Sequence, residues 1–119
     1  MSDFKSKFHS LASFFQDAAK SIGEKFDHFS FKTLVDLLKS DDAEAVSTAI
    51  EQLTNEKRQV SIPPLFFVYK EHPSVIIRQK AKKAIDAIGD EGRVKELTDG
   101  KSTEEAVKAL IGEYGHYRA

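Results

Sequence analysis

The sequence of 119 residues has the length of one domain and nearly balanced charge, with 18 Lys and Arg against 19 Asp and Glu. It contains no cysteine, which excludes disulfides and thiolate chemistry, and it has no apolar run long enough to cross a membrane. Charged residues interrupt the N-terminal apolar pattern, so we expect no secretory signal and a cytoplasmic location.

Residues 3–29 are predicted to form an N-terminal capping helix and a link. Phe4, Phe8, Leu11 and Phe15 recur at alternating steps of four and three residues, which places them on one helical face. We expect this face to cover one end of the core. A membrane-surface or partner-binding helix is the alternative, because lysines lie on the opposite side.

Two helical hairpins are predicted to follow, at residues 30–55 and 61–90. Each begins with four apolar residues spaced i, i+3, i+4 and i+7, which are Phe31, Leu34, Val35 and Leu38 in the first hairpin and Ile62, Leu65, Phe66 and Tyr69 in the second. Ser61 is expected to cap the helix whose first turn contains Pro63 and Pro64, and Pro73 with Ser74 is expected to open its partner. His72, in the turn between these two helices, is expected to be solvated.

A shortened closing unit is predicted at residues 92–112, followed by a frayed tail at residues 113–119. Ser102 and Glu105 have the spacing of a capping box, in which the serine oxygen accepts from the Glu105 amide and the glutamate accepts from the Ser102 amide. The chain is thus expected to be a single domain with a closing unit at each end of the hairpins.

One short phrase recurs in the last helix of all three units. It is a small or apolar residue, two spacers, an alanine and a large aliphatic, at Val46-x-x-Ala49-Ile50, Ala81-x-x-Ala84-Ile85 and Ala106-x-x-Ala109-Leu110. Alanines at this spacing let neighbouring helices approach closely while the aliphatic side chains fill the gap between them. A recurring helical pair of this length is typical of stacked repeats.

From Leu34 to Gly89 the chain resembles HEAT repeats, in particular the short bacterial HEAT-like type. The run from Ile77 to Gly89 is similar to the family pattern V-R-x-x-A-x-x-A-L-x-x-I-G, whereas the first hairpin has Ala43 where that pattern has arginine. The resemblance implies an all-α fold, a short α-solenoid of hairpins stacked with a right-handed twist. It also implies that Arg78 ties neighbouring repeats together through an acidic residue.

The first hairpin is acidic and the second is basic. Solvated helix faces account for most such charge, but a basic segment on one helix also suits an acidic partner. The predicted function is a non-catalytic protein–protein interaction module, a small scaffold or adaptor without a cofactor. We expect the groove formed by the second helices to bind the partner, with Arg78, Lys82 and Lys83 as its contacts.

Two other functions remain open from the sequence. The basic second hairpin could bind nucleic acid through a segment that contains Arg78, Lys80, Lys82 and Lys83, although no aromatic residue adjoins these four in sequence. HEAT-like families include lyases that act on bilin pigments, so the resemblance also allows a lyase-associated or enzyme-accessory role. A metal site has little support, because His9, His28, His72 and His116 are far apart and lack metal-ligand spacing.

Overall fold

Two antiparallel helical hairpins carry most of the structure. The computed structural model describes residues 4–11, 15 and 28–114, with side chains at 4–11, 15 and 31–114. Residues 4–11 form α1, and residue 15 is also helical. The later helices are α2 (His28–Leu37), α3 (Ala43–Glu56), α4 (Ile62–Glu71), α5 (Val75–Ile88), α6 (Glu91–Thr98) and α7 (Thr103–Tyr114), with a 3-10 turn at Gln59–Ser61 before α4. These ranges contain no strand, which confirms the predicted all-α class.

The small-residue seams lie inside the protein. Helices α2 and α3 form the first hairpin, α4 and α5 form the second, and α3 packs on α5 between them. Ala49 of α3 and Ala84 of α5 are 0% and 2% exposed, so neighbouring backbones approach there as the sequence predicts. Ala109 of α7 is only half-buried, because α7 occupies a different place from the second helices of the other units.

A cluster of phenylalanines attaches α1 to the second hairpin. Phe4, Phe8 and Phe15 are buried, and the Phe4 and Phe8 ring centroids lie 5.5 and 5.8 Å from that of Phe67 in α4. Ion pairs from Lys5 to Asp41 and from Lys7 to Glu71 flank this cluster, at 3.3 and 3.8 Å. The apolar face of α1 is therefore part of the core. Residues 28 and 29, predicted as the end of the link, instead begin α2. The remaining residues of the predicted capping helix and link lie outside the described part of the chain.

The predicted closing unit consists of α6 and α7, and its last helix ends later than predicted. Helix α7 packs on α4 as well as on α6. The capping box is confirmed, since Ser102 Oγ accepts from the Glu105 amide and Glu105 accepts from the Ser102 amide, both at 3.2 Å. The helix continues to Tyr114, which is buried, so the tail predicted from residue 113 begins too early. Residues 115–119 lie outside the described part of the chain.

The starts of the two helices in the second hairpin differ in how they are capped. Ser74, predicted to open α5 together with Pro73, caps it, since Ser74 Oγ accepts from the Ile77 amide at 3.3 Å. Ser61 makes no cap, because the 3-10 turn runs directly into α4 and leaves Ser61 with helical backbone angles rather than the extended ones of a capping residue. Its hydroxyl is fully buried and has no hydrogen-bond partner among the described residues.

The prediction of a solvated His72 is wrong. This residue ends α4 and is only 7% exposed, because α1 lies over the turn between α4 and α5. The His72 ring meets the Phe4 ring edge-on, and His72 Nδ1 accepts a hydrogen bond from the Ser74 amide at 3.0 Å. Burial, and then the nearby charge of Arg78, lower the pKa of His72 below its ordinary value.

Candidate functional site: a lysine-lined groove beside the second hairpin

A groove runs between the outer side of the second hairpin and α6. It consists of two cavities of about 400 and 360 Å³ that share Tyr69 and Lys82 in their walls. We call the whole depression the lysine groove. The basic side chains that line it are Lys70, Arg78, Lys82, Lys83, Lys95 and Lys101.

Helix α4 places an aromatic ring at the junction of the two cavities. Tyr69 is half-buried and stands one turn after the buried Phe66, whose ring meets it edge-on with 5.8 Å between centroids. The ammonium group of Lys70 lies 5.0 Å from the centroid of the Tyr69 ring. The Tyr69 ring thus packs against the buried Phe66 of the core and has the positively charged Lys70 ammonium group close to it.

Helix α6 forms the opposite wall and is held by ion pairs at both of its sides. Lys82 Nζ of α5 lies 2.9 Å from Asp86 and 3.5 Å from Glu91 in the first turn of α6. The hydrogen bond to Asp86 is the main reason that the pKa of Lys82 is raised. On its other side, Arg93 makes two hydrogen bonds to Glu113 of α7, at 3.0 and 3.3 Å, and these raise the pKa of Arg93.

The three predicted partner contacts come together in the smaller cavity, but their charges are used differently. Arg78 Nη1 donates to the backbone carbonyl of His72, and thereby ties α5 to the end of α4. The resemblance implied an acidic partner for this arginine, and the described residues provide a carbonyl instead. Lys82 is neutralised by Asp86 and Glu91, whereas Lys83 is exposed and forms no ion pair with a described residue.

Sequence reasoning missed the larger part of the groove. Lys70, Lys95 and Lys101 line it, are exposed, and form no ion pair within the described ranges. They come from α4, α6 and the turn before α7, so no linear pattern joins them. The sequence does mark the turn itself, through Gly100. In the structure this glycine has a φ of +74°, a conformation that favours glycine, and Lys101 directly after it lines the groove.

The charge along the groove is positive but not uniform. Six basic side chains line its walls against the three carboxylates of Asp86, Glu91 and Asp99, which leaves a net charge of +3. Lys82 already bridges two of those carboxylates. The positive charge that faces solvent therefore belongs mainly to Lys70, Lys83, Lys95 and Lys101.

The wall of the groove changes from one cavity to the other. The smaller cavity is lined mainly by carbon atoms, from the Tyr69 ring, from Val75 and from the aliphatic stems of longer side chains. Val75 is 55% exposed. The larger cavity is more polar and holds Lys95, Lys101 and the hydroxyls of Thr98 and Thr103.

The described residues contain no group of three or more His, Asp or Glu side chains placed to bind a metal ion. Within the same ranges, no helix is both long and apolar enough to pass through a bilayer. Comparisons with protein-family models, with curated proteins and with solved structures gave no match to this chain.

Proposed function

We propose that this chain is a non-catalytic protein-binding module, a small scaffold or adaptor, which holds an acidic segment of a partner protein in the lysine groove. The observation that carries the proposal is the set of lysines around Tyr69 that have no carboxylate partner within the described residues. Positive side chains that converge on a groove without internal neutralisation favour and steer an acidic ligand.

The distribution of charge favours a peptide over a nucleic acid. Asp86, Glu91 and Asp99 stand between the lysines, so a ligand has to place its negative charges selectively. A peptide can alternate acidic with uncharged residues, whereas a nucleic acid carries a phosphate at every step. Tyr69 of α4 nevertheless places an aromatic ring beside the basic residues of α5, which their own stretch of sequence did not indicate, so nucleic acid belongs among the outcomes of the test.

We further propose that the two hairpins are HEAT-like repeats of a short α-solenoid. The buried alanines of α3 and α5, and the packing of these two helices on each other, support this relation. The proposed binding surface differs from the one expected for such a stack. It uses the outer end of α4, the exposed side of α5 and the facing side of α6, rather than a groove along the second helices.

The test is fluorescence anisotropy with a labelled peptide of alternating glutamate and serine, at low and at moderate salt. Lys95→Gln combined with Lys101→Gln should weaken binding about fivefold, since each exposed ion pair contributes about 0.5 kcal/mol. Lys32→Gln combined with Lys57→Gln removes the same charge from exposed positions outside the groove and is the matched control. Equal weakening by both pairs, or no binding at low salt, contradicts the proposal.

A labelled single-stranded oligonucleotide is measured in the same series. If it binds more tightly than the peptide, loses affinity steeply with salt and depends on Tyr69, the nucleic-acid function replaces the one proposed here.

A further inference from the structure

We propose that the partner segment carries an apolar residue at one end of its acidic stretch, and that this residue occupies the smaller cavity against Tyr69 and Val75. This inference rests on the proposed function and specifies the class of peptide that the groove selects. It follows from the unequal character of the two cavities, together with the way in which the basic groups are distributed between them.

The smaller cavity offers an apolar contact that the protein leaves unused. Among the described residues, the large hydrophobic side chains that stand exposed are Val75 and Ile76, at 55% and 64%. Of these two, Val75 lines the cavity, next to the half-buried ring of Tyr69. Covering this surface removes apolar area from water, and that is the main source of affinity in small interfaces.

Two of the three basic groups of the smaller cavity are poor partners for further carboxylates, and only Lys83 leaves its charge available there. Arg78 is engaged with the His72 carbonyl, and Lys82 is engaged with Asp86 and Glu91. Their stems cover the cavity wall while their charged ends are held elsewhere. This end of the groove therefore combines a mainly carbon-lined wall with the single available charge of Lys83, and it suits an aliphatic side chain better than a run of carboxylates.

The basic groups of the larger cavity have the opposite character. Lys70, Lys95 and Lys101 are exposed and have no ion-pair partner in the described ranges, so their charges are available to a ligand. Because Tyr69 and Lys82 belong to both cavities, a single extended segment can place an aliphatic residue in one and carboxylates in the other. The groove thus has a direction, with an apolar end and a cationic end.

The experiment uses the full chain and four labelled peptides. Two carry alternating glutamate and serine with a leucine at the N-terminal or the C-terminal end, and two have serine in place of the leucine. We expect one leucine orientation to bind about tenfold more tightly than its serine counterpart, since burying a leucine contributes on the order of 1.5 kcal/mol. Val75→Ser should remove that advantage and leave the affinity of the serine peptides unchanged.

Ile76→Ser is the matched control, because Ile76 is equally exposed but does not line either cavity. Equal affinity of leucine and serine peptides, or equal effects of Val75→Ser and Ile76→Ser, would overturn the inference. In that case, binding of the serine peptides that still depends on Lys95 and Lys101 leaves the proposed function standing. If no acidic peptide binds, the proposed function fails as well.

Discussion

The ring of Phe4 meets the imidazole of His72 edge-on, with 4.9 Å between the ring centroids and 67° between their planes. This contact joins α1 to the turn between α4 and α5. The same imidazole accepts a hydrogen bond from the Ser74 amide through Nδ1, which requires that nitrogen to be unprotonated. The attachment of α1 is therefore built around a neutral histidine.

This arrangement predicts a pH dependence of stability. The pKa of His72 is lowered in the folded protein, so just below pH 6.5 the unfolded chain binds more protons than the folded one. Its contribution to the free energy of unfolding is complete above about pH 6.5 and is lost as the pH falls towards the lowered pKa. The free energy of unfolding, measured with urea at a series of pH values from about 7.5 to about 5, should therefore decrease as the pH falls.

The variant for this measurement is His72→Asn, whose side-chain oxygen can accept from the Ser74 amide but does not titrate. In this variant the free energy of unfolding should depend less on pH between about pH 7.5 and about pH 5. Gln79→Asn, at an exposed position on α5 whose side chain does not titrate, should leave the pH dependence as it is in the wild type. A slope that persists unchanged in His72→Asn would assign the titration to another group.

The contact between Gly89 and Ile62 predicts a steric coupling. A Cβ added at Gly89 would lie 2.7 Å from Ile62 Cδ1, a side chain that is fully buried. We expect Gly89→Ala to lower the free energy of unfolding by about 1 kcal/mol or more through overpacking. In Gly89→Ala with Ile62→Val, which removes Cδ1, the loss should be smaller than the sum of the single losses by about 1 kcal/mol.

Gly112→Ala provides the comparison, because a Cβ there meets nothing within 4 Å and the residue lies inside α7. It should raise stability by about 0.5 to 1 kcal/mol, the usual gain from removing a glycine in a helix. Strict additivity of Gly89→Ala and Ile62→Val in thermal or urea unfolding would show that the two sites are not in steric contact.

The two serines that directly precede α4 and α5, Ser61 and Ser74, should respond in opposite ways to alanine. Ser74→Ala removes the cap of α5 and should cost about 1 kcal/mol. Ser61→Ala removes a buried hydroxyl without a partner in the described residues, so stability should be unchanged or higher by about 1 kcal/mol. Urea unfolding of both variants decides this, and a clear loss in Ser61→Ala would mean that its hydroxyl is hydrogen-bonded after all.

Arg78 and Lys83 should separate stability from binding. Arg78→Met keeps the aliphatic stem but removes the donor to the His72 carbonyl, so it should lower the free energy of unfolding by about 1 kcal/mol. Lys83→Met changes an exposed side chain and should shift it by less than about 0.5 kcal/mol. Lys83→Met should instead weaken binding of the acidic peptide. Equal losses of stability in both variants would contradict a structural role for Arg78 and a binding role for Lys83.

The local features of the fold were predictable where a single helix or turn decides them. The spacing of Phe8, Leu65 and Ala84 identifies buried faces, and the capping box at Ser102 depends on only four consecutive residues. The relation between elements was less accessible. That α7 packs on α4, and that Ser61 continues a 3-10 turn instead of capping a helix, depend on contacts between distant parts of the chain.

The same distinction explains what was missed in the candidate site. Arg78, Lys82 and Lys83 lie within six residues of one helix, so the sequence pattern identifies them as a basic segment. The pattern does not indicate that Arg78 and Lys82 already have partners in the folded protein. Lys95 and Lys101 enter the groove because α6 and the turn after it line the same cavity as α4 and α5. The exposure of His72 was misjudged for a related reason, since the helix that covers it lies far away in sequence.

Arg78 belongs to two parts of the molecule at once. Its guanidinium group holds the carbonyl of the residue on which Phe4 rests, and its stem lines the smaller cavity. A ligand that drew the guanidinium group towards itself would break its hydrogen bond to the His72 carbonyl and so weaken the attachment of α1 to His72. By thermodynamic reciprocity, the factor by which such a ligand weakens the attachment of α1 equals the factor by which detachment of α1 raises the affinity of the cavity for that ligand.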